Sequence, residues 1–383
     1  MADADRYHRL QLLLALLALG LSTAYLLLLI GTGAGNALAH AAARITSARW
    51  GQVALVAVVL GAGHGALTVP LTLIRGFWLP RRFGLLHQPL LAWAGDQVKA
   101  AVIGGTLAIA AVEIVYALLA LTPFWWLAAA AIFIVAQIAL TAVLPVWIVP
   151  LFYRLTPLAD DGLRDRLLTL ARRAGVAAIG VFVADQSRKS RTANAAVVGL
   201  GRTRRIILFD TLLAEFSPDE IESVLAHELG HHAHGDMRRG LLVNGVLTLV
   251  TAWLAALCLD AAEPLLGLAG PADPGGLPWL VLVALALGLV QLPLANGFSR
   301  RIERQADDFA LATTGNPAAF VGAMERLAGV NLAERRPSRL KEIFLYSHPP
   351  LARRIARAQS AGRVSTPGWG ANRGATADRG GAA

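Results

Sequence analysis

Apolar residues fall in long runs along this chain, not in the short alternations of a soluble sheet or the striped faces of soluble helices. Crossing the hydrocarbon core of a bilayer takes ~20 mostly apolar residues in a helix. Six windows meet that length: residues 10–30, 52–74, 100–121, 124–150, 241–259 and 277–296. Pro and Gly near several of their ends are tolerated better in lipid than in water. The first window has a second reading as a signal peptide, because Ala37-Leu38-Ala39 resembles a cleavage site and Arg6 and Arg9 precede the run. Its apolar stretch is longer than that of a leader, so the reading adopted is an uncleaved helix.

Between the fourth and fifth windows the pattern changes. Residues 151–240 carry a charged helical stretch at 160–173 and then β-prone runs near Val181, Ala195 and Ile206, the signature of a small α+β insertion. Ser217 with Glu220 three residues on predicts a capping box, opening a helix that continues through Ile221, Val224 and Leu225. Residues 299–363 read as amphipathic helices, and 364–383 form a Gly-, Ala- and Pro-rich tail predicted to be disordered. The expected organisation is thus a membrane region with four spans (1–150), the insertion (151–240), two further spans (241–298), a helical part (299–363) and the tail.

Composition agrees: 56% of residues are hydrophobic and 16% charged, which excludes an ordinary soluble domain. A net charge of +10 would suggest nucleic acid in a soluble protein, but here the arginines flank apolar spans, so no nucleic-acid partner is expected. Arg75, Arg81, Arg82 and Lys99 mark the second loop as cytoplasmic, and the third and fifth loops carry no Lys or Arg. The insertion and the C-terminus then face the cytoplasm, in a cell inner (plasma) membrane; Arg44 and Arg49 in the first loop run against this orientation. The lone cysteine, Cys258, excludes a disulfide framework or a thiolate cluster within one chain, so any metal must use His and carboxylates.

His227-Glu228-Leu229-Gly230-His231 puts two imidazoles four residues apart, on one helical face and close enough to share a metal ion, with Glu228 beside them. After the last span, Glu303 and Asp307 stand at i and i+4, which fits a third ligand plus a carboxylate that accepts a ligand's free ring N–H. The alternative, pairing of both with Arg300, Arg301 and Arg304 on a solvated face, leaves the His pair without the carboxylate that such a site needs. Non-haem iron also uses two His and a carboxylate, but a base inside a helical His pair suits hydrolysis, so the expected cofactor is Zn²⁺, one per chain.

Together these segments resemble the integral-membrane zinc metallopeptidases that include the type I CAAX prenyl endopeptidase and its bacterial relatives. The resemblance runs from about residue 81 to 354. Beyond the two zinc segments it rests on Arg82-Phe83-Gly84-Leu85 with Asp96 and Lys99, Pro150-Leu151-Phe152, Asn194-Ala195, Phe209-Asp210-Thr211-Leu212 and Ser347-His348-Pro349-Pro350. It implies a mainly α, polytopic membrane protein with about six transmembrane helices and a small cytoplasmic α+β, zincin-like domain. His227, His231 and Glu303 would be the zinc ligands, Glu228 the general base and Asp307 an outer neighbour of the metal. Asn194 would lie on the strand that holds the substrate, and His348 and Arg354 would face the scissile carbonyl. The substrate expected is a membrane-associated or C-terminally prenylated-type peptide, with the lipid bilayer as the other partner. The eukaryotic members have seven spans around a hydrated chamber, against six counted here. The nearest rival is a heat-shock-type membrane quality-control protease; from another class, a metal-binding transporter or scaffold would have no use for the base at Glu228.

Overall fold

The computed structural model describes residues 2–199 and 204–364. The predicted tail therefore lies outside the described residues, save Val364. The N-terminal half is a series of helices: α1 (Ala2–Gly31), α2 (Ala34–Ile45), α3 (Arg49–Leu73), the single turn α4 (Leu79–Arg82), α5 (Leu90–Leu121) and α6 (Trp125–Val143). A π-helical stretch, Ile74–Trp78, joins α3 to α4. The stretch around Ala37–Ala39 forms α2, a short helix whose Ala39 and Ala42 are buried.

Among the described residues, five helices are long and apolar enough to cross a membrane: Asp3–Gly31, Arg49–Arg82, Leu90–Leu121, Asp236–Leu266 and Pro274–Thr314. The sixth expected span, in the window 124–150, is not among these five. There α6 gives way to a π-helical turn at Leu144–Ile148 and a 3₁₀ turn at Val149–Leu151. Its 19 residues rise ~28 Å at 1.5 Å each, close to the ~30 Å hydrocarbon thickness. Small side chains let these helices approach closely, with Ala39, Ala42, Ala129, Ala255 and Ala256 buried beside Val53, Val56, Tyr116 and Leu259.

The second half opens with β1 (Leu155–Pro157) and α7 (Asp161–Arg173), followed by β2 (Val181–Ala184), β3 (Ala195–Val198) and β4 (Arg205–Phe209). The sheet order is β1-β2-β4-β3, with β2 and β4 parallel and the other two pairs antiparallel, so β3 is an edge strand. Next come α8 (Asp210–Glu215), α9 (Pro218–Ala233), α10 (Asp236–Leu266), α11 (Leu277–Thr314), α12 (Pro317–Val330), α13 (Arg339–Leu345) and α14 (Leu351–Val364). The capping box forms: the Ser217 side chain accepts from the Glu220 N–H, and the Glu220 carboxylate accepts from the Ser217 N–H. The apolar stripe of α9, Ile221, Leu225 and Leu229, then joins Leu167, Leu170, Ile206, Leu208, Leu212 and Phe320 in one fully buried core. The two halves interlock where Lys189, in the loop before β3, pairs with Asp96 of α5 at 2.6 Å and its carbonyl accepts from the His87 N–H at 2.8 Å.

Candidate metal centre

Two helices build the centre, and a glycine lets them meet. Gly230 of α9 faces α11 so closely that a Cβ there would lie 3.1 Å from the Ala306 Cα. That approach sets Glu303 of α11 over the His pair. His227 Nε2 lies 3.2 Å from Glu303 Oε2 and His231 Nε2 3.6 Å from Glu303 Oε1. One donor atom from each of the three residues falls within 4.8 Å of the others. The two imidazole rings stand nearly perpendicular at 4.9 Å between centroids.

The donor set fits a metal. Glu303 Oε2 is buried with no donor in hydrogen-bond geometry, its nearest polar neighbour being His227 Nε2 at 3.2 Å, an arrangement that is unfavourable unless a cation or water completes it. Each imidazole is oriented from behind by its own carboxylate. Asp307 Oδ1 accepts from His227 Nδ1 at 2.9 Å, and Asp236 Oδ2 accepts from His231 Nδ1 at 3.0 Å. Both inward-facing nitrogens are thereby presented as lone pairs, the tautomer that a ligating histidine needs. Burial pulls His227 down, but carboxylates on both ring nitrogens outweigh it and push its pKa up to about 9, so a metal binding at Nε2 displaces a proton from the ring.

Asp236 is a residue that the helical spacing did not reveal. It stands at i+5 from His231, off the α9 face, and reaches the ring only because Gly235 turns the chain through φ 66° between α9 and α10. The clue in the sequence was the Gly-Asp pair that follows the His-rich run.

The other expected residues gather around one cleft of about 420 Å³, lined by Thr192, Asn194, Phe209, Glu228, His348 and Arg354 among others. Burial pushes the Glu228 carboxyl up against the opposing pull of His227 and His231. Arg354 lines the cleft and also clamps Asp307 with two bonds, Nε to Oδ2 at 2.9 Å and Nη2 to Oδ1 at 2.6 Å. His348, whose side chain is 56% exposed, brings Nε2 to 3.3 Å from Glu303 Oε1. Asn194 sits immediately before β3; its carbonyl accepts from Phe209 N–H and its Oδ1 from the Ala195 N–H. Arg300 donates to the carbonyls of Glu342 and Tyr346, so it does not neutralise Glu303.

Comparison with known proteins agrees with this architecture. The profile of peptidase family M48 matches residues 157–361, and that of the CAAX prenyl protease N-terminal region, with five membrane helices, matches residues 1–154. An uncharacterized metalloprotease of Bacillus subtilis, YhfN, is 30% identical over 298 residues, covering 76% of this chain and 70% of that protein. CAAX prenyl protease 1 of Saccharomyces cerevisiae is 38% identical over 173 residues, which are 43% of this chain and 36% of the yeast protein. Protease HtpX of Pseudomonas putida is 31% identical over 212 residues, 50% of this chain and 69% of its own length. The crystal structure of S. mikatae Ste24p superposes with a TM-score of 0.83 over 93% of this chain and 88% of that one, at 24% identity, so the fold is shared. With matches that span both the membrane helices and the His-Glu-carboxylate centre, the chain belongs to peptidase family M48 and is a membrane metalloprotease.

Proposed function

We propose that this chain is a zinc endopeptidase that cuts membrane-associated or prenylated-type peptides, with His227, His231 and Glu303 holding the metal. The observation that carries the reading is the convergence of these three donors, each imidazole backed by a separate carboxylate. Zinc bound there supplies Lewis-acid polarisation of the scissile carbonyl and of the attacking water.

Glu228, in the cleft beside the ligands, takes a proton from the attacking water and returns it to the leaving nitrogen as the C–N bond breaks. Asp307 and Asp236 keep the two imidazoles in the ligating tautomer, and Arg354 fixes Asp307 in place. His348, half-exposed at the cleft wall, donates to the carbonyl oxygen as negative charge develops there. The β3 edge, starting at Asn194, receives the substrate backbone as an added strand.

The match of residues 1–154 to the CAAX-type membrane region supports this substrate class over general quality control. So does an apolar pocket of about 490 Å³ among α5, α6, α10 and α11, large enough for a lipid-like substituent. The arginines before α5 support a cytoplasmic catalytic half in the inner membrane; an impermeant thiol reagent should leave Asp161→Cys unlabelled in intact cells, and labelling would reverse the orientation. Elemental analysis of purified protein tests the centre: about one zinc per chain is expected, lost on Glu303→Ala. Zinc that persists in that variant, with the fold intact, would remove Glu303 from the ligand set.

A further inference from the structure

Edge strands bind a partner strand through the backbone groups that face away from their own sheet. In the segment that ends in β3, the Asn194 carbonyl faces inward, accepting from the Phe209 N–H of β4. Alternation then turns the N–H and C=O of Ala193, Ala195 and Val197 outward, toward the cleft side. These six groups are the full docking strip, and the protein already occupies several of them.

Ala193 is taken completely. Its N–H donates to Asn331 Oδ1 at 2.9 Å and its carbonyl accepts from Asn331 Nδ2 at 3.1 Å. One side-chain amide thus makes both bonds that a residue of an added strand would make. At the other end the Val197 carbonyl accepts from His232 Nε2 at 3.0 Å, and the Ala195 N–H is held by Asn194 Oδ1 at 2.9 Å. Among the described residues, the Ala195 carbonyl and the Val197 N–H are left open.

Asn331 is held in place from several directions. It ends α12, and the next residue, Leu332, has φ 48°, a left-handed conformation that leucine adopts at a cost. Two backbone bonds close this turn, Ala333 N–H to Ala328 O at 2.9 Å and Leu332 N–H to Gly329 O at 3.4 Å, the pairing that ends helices on glycine. Arg191 Nε donates to the Val330 carbonyl at 3.2 Å, and His8 of α1 bonds the Leu332 carbonyl at 2.8 Å. Asn331 also lines the cleft that holds His227 and Glu228, alongside Val224, Met324 and Leu327.

We propose that Asn331 is a positioning residue that closes the substrate edge at Ala193, so that a bound peptide is gripped through its backbone only across Ala195 and Val197. This rests on the reading of β3 as the substrate strand. With so short a backbone grip, selectivity falls to the side chain seated against Val224, Met324 and Leu327, which suits an apolar residue beside the cut.

The test uses full-length, zinc-loaded protein carrying Asn331→Ala, and Asn331→Asp as a conservative variant that keeps the acceptor for the Ala193 N–H. Hydrogen exchange at Ala193, followed without peptide, should accelerate at least tenfold in Asn331→Ala and stay slow in Asn331→Asp. Unchanged exchange in Asn331→Ala overturns the proposal whatever the enzyme cleaves. Peptides sharing one cleavage sequence, extended by two residues on either side, are then compared. For one extension, Asn331→Ala should lower KM about fivefold relative to the short peptide, the effect of one added backbone pairing, with kcat unchanged, whereas the parent ignores the extension. Equal KM for all lengths in Asn331→Ala, with Ala193 exchange released, also overturns it. If the parent cleaves no peptide, the substrate reading fails separately, and re-protection of Ala193 by the extended peptides in Asn331→Ala still decides the role of Asn331.

Discussion

Substituting Gly230 by alanine sets two opposed effects against each other at the heart of the centre. Removing a glycine from a helix interior favours folding by ~1 kcal/mol. A Cβ at Gly230, however, would sit 3.1 Å from the Ala306 Cα and 3.2 Å from both Cβ and Cδ1 of Phe309. Carbon atoms settle at ~3.5–4.0 Å, and a backbone atom cannot rotate away, so α9 and α11 must part by a few tenths of an ångström. Such overpacking costs ~1–3 kcal/mol, which outweighs the helix gain. The separation also acts on the ligands, because Glu303 lies one turn before Ala306 on α11, and metal–ligand distances tolerate only ~0.2 Å. Gly230→Ala is therefore expected to unfold at lower temperature and to bind zinc about tenfold more weakly, the low end for disturbing a metal's outer support. Gly240→Ala on α10 is the control, since nothing lies within 4 Å of a Cβ there. Calorimetry in detergent and competition with a chelator supply both numbers. If Gly230→Ala gains stability as Gly240→Ala does and keeps its zinc affinity, the close approach does not set the ligand geometry.

Glu228→Gln should keep its zinc and lose ~10²–10⁴ in peptide turnover, since the amide preserves size but cannot shuttle a proton; turnover at the parent rate, still abolished by chelation, would assign the base elsewhere. Burial raises the Glu220 carboxyl, but the Ser217 N–H and Arg326 outweigh it and hold its pKa below the usual value. Its contribution to stability is therefore full above the unfolded carboxylate pKa of ~4.3 and fades as pH falls through the lower folded value. The stability gap between parent and Glu220→Gln, measured by denaturant titration, should narrow below about pH 4; a gap that widens on acidification would reverse the sign.

The features legible in the sequence were those encoded locally or by long apolar runs. The capping box at Ser217 and Glu220 and the His227-to-His231 spacing both lie within one helix, where 3.6-residue periodicity fixes the geometry. Five of the six apolar windows correspond to helices long enough to span. The remaining window, 124–150, holds α6 followed by a π-helical and a 3₁₀ turn, a change of helix type that hydropathy does not register. Helix α2 went unread, being 12 residues long and rich in alanine, with neither a membrane-length run nor a cap to announce it. Asp236 and Asn331 escaped for a different reason. Their partners are reached through a turn at Gly235 and across 138 positions of chain, and no periodic pattern carries that information.

Helix α11 runs for 38 residues, from Leu277 among the apolar helices to Thr314 beyond the metal ligands, with Pro293 in its interior. Glu303 stands 26 residues, or ~39 Å, along this helix from Leu277. Pivoting it by only ~2° about Leu277 would sweep the carboxylate sideways by ~1.4 Å, several times what a metal–ligand bond absorbs. The bilayer that tilts α11 would thus reach straight into the chemistry, unless α9 travels with it. Packed directly on the Ala306 backbone and the Phe309 side chain, Gly230 couples α9 to the catalytic end of α11, so that a tilt carried to that end would move the histidines and Glu303 together.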